Sequence, residues 1–236
     1  MLYWEYYLMG IILLPGIIFA IWTQSRVTNA YSKYSKVLCA KGYTGKDVAL
    51  KMLQANGLND VRVIAIDGEL TDNYNPRTKK VSLSKNVYYS NTIAALGVAA
   101  HECGHAIQHA KNYAPAKVRV ALVTVSNISS AILWPIVFLG LILGFAVESP
   151  AGKIVLWSGV IIFGLSLLFS LITLPVELDA SKRAIKSLVE LDVVDSTEVI
   201  GAKEVLNAAA LTYVASVVVS LLNLLRFILV FARRND

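Results

Sequence analysis

A helix needs roughly 20 consecutive apolar residues to cross the hydrocarbon core of a bilayer. This chain of 236 residues supplies such a run four times, at about Leu2–Trp22, Val120–Val147, Ile154–Val176 and Val205–Phe231. No ordinary soluble domain has a core that absorbs so many apolar stretches. Composition agrees: 56% of the residues are hydrophobic and 16% are charged, against about 25% charged in an average soluble domain. Disorder, a nucleic-acid-binding arm and a simple cytosolic domain are excluded. The expected fold class is a mainly α membrane protein with about four transmembrane helices and a small α+β polar region.

Details of the runs support this reading. Tyr3, Trp4, Tyr6 and Tyr7 flank one end of the first and Trp22 the other, as aromatic residues do at the two interfaces. Thr124, Ser126, Asn127, Ser129 and Ser130 dot the second run and suit a face packed on other helices. The third reaches Pro175. The fourth contains Arg226, whose charge favours an end to the span near Leu222–Leu225, with the arginine snorkelling to the interface. The expected organisation is therefore a first transmembrane helix over 1–22, a polar α+β region over 23–119, a transmembrane hairpin over 120–176, a helical segment over 177–204, and a fourth transmembrane helix with its tail over 205–236.

With four spans, 23–119 and 177–204 face the same side. They hold fourteen and four Lys/Arg, against three (Lys153, Arg233, Arg234) on the other. That bias predicts cytoplasmic polar regions, with Arg233 and Arg234 dissenting, and it accounts for the net charge of +6 without a nucleic-acid partner. Nothing at the N-terminus reads as a cleavable signal. Cys39 and Cys103 are the two cysteines; they form no scaffold, and two thiols suit a reducing compartment.

Within 23–119, Thr44–Asp47 reads as a helix cap, Val48, Met52 and Ala55 recur on one face, and Gly57 ends that helix. Val61–Ile66 and Lys80–Leu83 read as strands, and Asp72–Pro76 as a turn. The two strands are expected to form a hairpin beside a helix over Ile93–Ala110. A helix continuing from the third run is expected over Glu177–Leu191, and Asp195–Glu198 reads as the cap of the next one.

The chain's three histidines fall within His101–His109. His101-Glu102-x-x-His105 is the HExxH pattern, whose positions i and i+4 share one helical face. Two imidazoles there can reach one zinc ion, with the intervening glutamate beside them. Zinc lowers a water's pKa toward ~7, so that a carboxylate such as Glu102 can take its proton near neutrality. The bland alternative, a solvated polar patch, sits poorly after so apolar a stretch as Ile93–Ala100.

A catalytic zinc needs a third protein ligand and an open position. Glu177, at the mouth of the third run, is the choice; the alternative is a carboxylate that merely marks the interface. His109 is the rival, but i+8 lies more than about 10 Å along the axis from His101, so His109 is read as an outer partner or a structural residue. Asp179 either hydrogen-bonds a ligand imidazole or caps its own helix. A non-enzymatic assembly or regulatory protein with a structural zinc is the alternative function. Structural sites usually take four ligands, often cysteines, Cys103 lies off the His101/His105 face, and Glu102 would have no purpose there.

The chain resembles the YugP-type neutral zinc metallopeptidases, small bacterial membrane peptidases. The resemblance is densest at Leu70–Arg77, Val81–Ser84, Ala99–Gln108 and Leu174–Ser181. It implies zinc peptidase chemistry at a bacterial inner membrane, with His101, His105 and Glu177 as ligands and Glu102 as base. Two departures stand out. Related four-span gluzincins carry Asp four residues after the ligand Glu, where this chain has Ser181, and Asp179 stands at +2. Asn75 occupies a position where Asp is expected.

The reading is a membrane-embedded, multi-pass zinc metallopeptidase of the inner membrane, an endopeptidase cutting membrane-associated or unfolded polypeptides near the bilayer surface. Its expected partners are a peptide or membrane-protein substrate and the lipid bilayer. Asp72, Tyr74 and Arg77 are substrate-binding candidates, Ser181 joins Asp179 and His109 as outer partners of the ligands, and Tyr74, Arg77, Tyr88, Arg183 and Tyr213 are candidate oxyanion donors. The sequence leaves the oligomeric state open.

Overall fold

The computed structural model describes residues 10–123, residue 135 and residues 150–232. Six helices and three strands are named in chain order: α1 Leu14–Tyr34, α2 Gly45–Ala55, β1 Arg62–Ile66, β2 Asn73–Asn75, β3 Lys80–Ser84, α3 Lys85–Tyr88, α4 Ile93–Ala110, α5 Pro150–Glu190 and α6 Glu198–Ala232. A further helical stretch begins at residue 114. The chain divides into two compact units, one of Met1–Trp22, Val118–Leu174 and Tyr213–Asp236 and one of Thr23–Lys117 and Pro175–Thr212. The division falls within α1, α5 and α6.

Among the described residues, two helices are long and apolar enough to cross a membrane, over Trp157–Glu190 and Glu198–Leu229. Trp157, Ile161 and Leu171 on one, and Leu221 and Leu225 on the other, are exposed, an apolar surface that water does not favour. The two helices meet through Phe163 and Phe227, with ring centroids 4.7 Å apart. Ser220 lies 3.4 Å from Ser166 and 3.3 Å from Ser170, the kind of small polar contact that joins helices in lipid. Of the two other expected spans, most of Val120–Val147 lies outside the described residues, as does the start of Leu2–Trp22. α1 does not stop at Trp22 but runs on to Tyr34. Pro175 stands inside α5 without ending it; it forfeits one i→i−4 bond.

The second unit holds the sheet and the HExxH helix. α2 starts at a capping box: Thr44 Oγ1 accepts from Asp47 N, and the Asp47 side chain accepts from Thr44 N. It ends in a Schellman motif, with Gly57 at φ +73° and Leu58 N donating to Leu53 O. α4 and α5 end the same way with Asn112 and Asp192 in the left-handed region, Tyr113 N donating to Gln108 O and Val193 N to Leu188 O. Asp195 Oδ1 accepts from Glu198 N while Glu198 Oε2 accepts from Asp195 N, the cap expected before α6. Met52, Leu83, Leu96 and Leu188 are fully buried in one core, each contributing about 1.5–3 kcal/mol relative to exposure. Cys39 and Cys103 are both buried there as free thiols.

The sheet differs from the expected hairpin. Its order is β1-β3-β2, and β1 pairs with β3 in parallel, Arg62 opposite Lys80 through Ile66 opposite Ser84. Parallel pairing needs a connection of about a dozen residues or more, and residues 67–79 provide it. The antiparallel partner of β3 is β2, Asn73 opposite Ser82 and Tyr74 opposite Val81, formed by residues expected to be a turn. The turn comes later: Asn75 Oδ1 accepts from Arg77 N and Thr78 N, an Asx turn. A side-chain oxygen is what that position requires, and Asn supplies it as Asp would.

Candidate metal centre

α4 is amphipathic in an unusual sense, since its chemistry sits on an otherwise apolar helix. Ile93, Leu96, Ala99, Ala100, Cys103 and Ile107 are buried, and Cys103 Sγ donates to Ala49 O of α2 at 3.7 Å. Burial pushes the Cys103 thiol above its ordinary range, the neighbouring Glu102 charge adding to the effect. That thiol is a packing group and not a ligand. The turn of α4 carrying His101 and His105 faces α5 instead.

Small residues let the two helices approach. A Cβ placed on Gly104 would lie 2.5 Å from Ala180 O and 3.1 Å from Ala180 C, a clash with backbone. Gly104 is therefore the contact that brings the HExxH turn against the turn of α5 carrying Glu177. Gly104→Ala is expected to lose about 1–3 kcal/mol of stability through overpacking and to weaken metal binding. Unfolding curves with zinc titration test this. Gly164→Ala, with open space around its Cβ, is the control expected to change neither by much.

His101, His105 and Glu177 each place a ligand atom within 4.8 Å of the others. His101 Nε2 lies 3.1 Å and His105 Nε2 3.5 Å from Glu177 Oε2, and the two rings meet edge to face at 4.7 Å between centroids. Glu177 is 1% exposed and Glu102 is 9% exposed. Two imidazole nitrogens and one carboxylate oxygen converging on a single point are a donor set of the kind zinc takes when one position stays open. Neither cysteine belongs to the set.

Behind the donors stands a layer of hydrogen-bond partners. Ser181 Oγ lies 3.1 Å from His101 Nδ1. His105 Nδ1 lies 3.0 Å from Gln108 Oε1, and Gln108 Nε2 donates to Val176 O at 2.7 Å and Asp179 Oδ2 at 2.8 Å. Asp179 Oδ2 accepts in turn from Arg183 Nε at 2.6 Å, and the Arg183 guanidinium lies over the Tyr113 ring at 5.9 Å. Ser181 thus stands at one ligand, whereas Asp179 reaches the other only through Gln108. Sequence reading passed over Gln108. The signal was an amide at i+3 from His105 within an Ala-Ile stretch, a position where a polar side chain is buried and must find partners.

The remaining candidates lie elsewhere. His109 stacks at a tilt against Tyr74 of β2, centroids 5.7 Å apart, and is not in the donor set. Asp72 Oδ1 accepts from Ser84 N at 2.8 Å, fastening the end of β3. Burial holds its carboxyl above the usual carboxylate range, against the lowering effect of the Ser84 hydrogen bonds. Arg77 contributes its backbone N–H to the Asx turn. Tyr88 packs edge-on against Tyr89, centroids 4.8 Å apart. Arg183 is committed to Asp179, and Tyr213 belongs to the first unit.

Comparison with known proteins adds a family. The profile of a family described as "Putative neutral zinc metallopeptidase" matches residues 9–232. "Putative membrane protease YugP" of Bacillus subtilis (strain 168) is 42% identical over 217 residues, 92% of this chain and 93% of that protein. No solved structure matches the chain.

Proposed function

The chain belongs to the neutral zinc metallopeptidase family, and on that premise we propose that it hydrolyses peptide bonds of membrane-associated or unfolded polypeptides close to the bilayer surface. The observation that carries the proposal is the convergence of His101 and His105 of α4 with Glu177 of α5, Glu102 being the chain neighbour of His101 on α4. Zinc, when bound, supplies a Lewis acid that polarises a carbonyl and makes water acidic enough to attack near neutral pH. His101, His105 and Glu177 are the residues that would hold it. The Glu102 carboxylate accepts the proton of the attacking water and returns it to the leaving amine. The apolar surroundings of α4 exclude bulk water and keep these charges effective.

The substrate is read as an extended chain. β2 is an edge strand of the sheet, lies next to α4 through Tyr74 and His109, and has no strand partner on its outer side among the described residues. An extended peptide added there would be held by backbone hydrogen bonds, with Tyr74 and Arg77 nearby. Folded domains offer no such segment.

Chain continuity supports a site close to the lipid. Glu177 lies on α5, the same helix as one of the two apolar stretches, and the homologue's name calls it a membrane protease. With Lys/Arg concentrated in 23–119 and 177–204, the catalytic side is cytoplasmic. Cysteines introduced at Lys111 and Lys182 are expected to resist an impermeant thiol reagent in intact cells and to react after permeabilisation. Labelling of both from outside would reverse the topology. Substrates then are segments just outside a membrane span, on that same side.

A further inference from the structure

We infer that Gln108 is a positioning residue that sets the tautomer of His105 and so decides which of its nitrogens is offered to the metal. The inference rests on the reading of His105 as a zinc ligand. It starts from a buried amide. Gln108 is wholly buried, so both ends of its side chain must be satisfied within the protein. One end meets Val176 O at 2.7 Å and Asp179 Oδ2 at 2.8 Å. A carbonyl and a carboxylate paired with Arg183 only accept, so that end is the NH2 group. A flipped amide would set its oxygen against two other oxygens.

The other end is therefore Oε1, and it faces His105 Nδ1 at 3.0 Å. An amide oxygen cannot donate, so the proton of that bond resides on His105 Nδ1. A neutral His105 then presents a bare Nε2, which lies 3.5 Å from Glu177 Oε2. Two acceptors facing each other at that distance call for a positive charge between them, and the ring is held in the form that ligates one. His101 differs: the partner of its Nδ1 is the Ser181 hydroxyl, which can donate or accept, so that contact does not fix where the Nδ1 proton resides. Two of the three hydrogen bonds of Gln108, those to Val176 and Asp179, join α4 to α5 within one turn of Glu177. The Arg183 contact to Asp179 fixes the far end of the chain of partners. Such partners of a ligand histidine typically change metal affinity about 10–100-fold when removed.

The test uses the full chain in lipid nanodiscs with 15N-labelled histidine, since the protein contains only 3 histidines. In zinc-free protein, above the pH at which the ring loses its second proton, His105 is expected in the Nδ1–H form. Gln108→Leu is expected to move it toward the Nε2–H form that free imidazole prefers, and to weaken zinc at least about tenfold in chelator competition. An Nε2–H ring in the unsubstituted protein overturns the inference whether or not the variant folds. So does a Gln108→Leu protein that folds with an unchanged tautomer and unchanged zinc affinity. A wild-type ring in the Nδ1–H form that does not respond to added zinc retires the role offered here through its premise, the ligand reading, and leaves the tautomer assignment intact. The two failures are therefore distinguishable.

Discussion

Glu102→Gln is expected to keep the fold and bind zinc as the unsubstituted protein does, yet to hydrolyse peptide about 10²–10⁴-fold more slowly. Gln has nearly the shape of Glu, so packing at a position only 9% exposed is preserved. What is lost is the ability to accept a proton. Glu102 is not among the three clustered donors, so metal content should not follow activity. Turnover by this variant near the wild-type rate would remove Glu102 from the mechanism. Loss of zinc together with turnover would mean that the substitution had disturbed α4.

Replacing a donor should act in the opposite order. His101→Ala, His105→Ala and Glu177→Ala are each expected to lower bound zinc from about one per chain, the content of a three-ligand site, to near zero after dialysis. Activity should fall with it. Thermal unfolding gives a second readout: zinc at about 100 times its Kd would stabilise the intact site by about 2.7 kcal/mol, and the variants should lose that response. His109→Ala is the informative control. Its ring rests on Tyr74, so zinc should stay bound. A Glu177→Ala protein with full zinc and activity would instead send the search for the third ligand to His109 or Asp179.

Much of what positions this centre was legible in the residues. Thr44 and Asp47 announce α2 because their side chains satisfy the helix's first amide groups, and α4 covers the same residues, Ile93–Ala110, that its pattern suggested. Those signals are local. The sheet was not legible in the same way. Val61–Ile66 and Lys80–Leu83 have strand composition, but alternation assigns faces and says nothing of partner or direction, and β2 is made of residues with turn propensity held by pairing to β3. Pro175 closes the third apolar run, yet the helix expected to continue from that run over Glu177–Leu191 does so, α5 passing through Pro175 to Glu190. Gln108 was hidden for a third reason. Its partners, Val176 and Asp179, lie on another helix far along the chain, and only the crossing at Gly104 brings them within reach.

If this centre cuts polypeptide, new N-termini should be found where it acts. The zinc-loaded chain and its Glu102→Gln form would be placed in lipid nanodiscs with a model substrate that has one membrane span, an unfolded juxtamembrane stretch and a folded soluble domain. New termini are expected in the juxtamembrane stretch with the wild-type chain, none there with Glu102→Gln at equal zinc content, and an intact folded domain in both. No new termini from a chain carrying its full zinc, or the same termini from both proteins, would contradict cleavage at this centre.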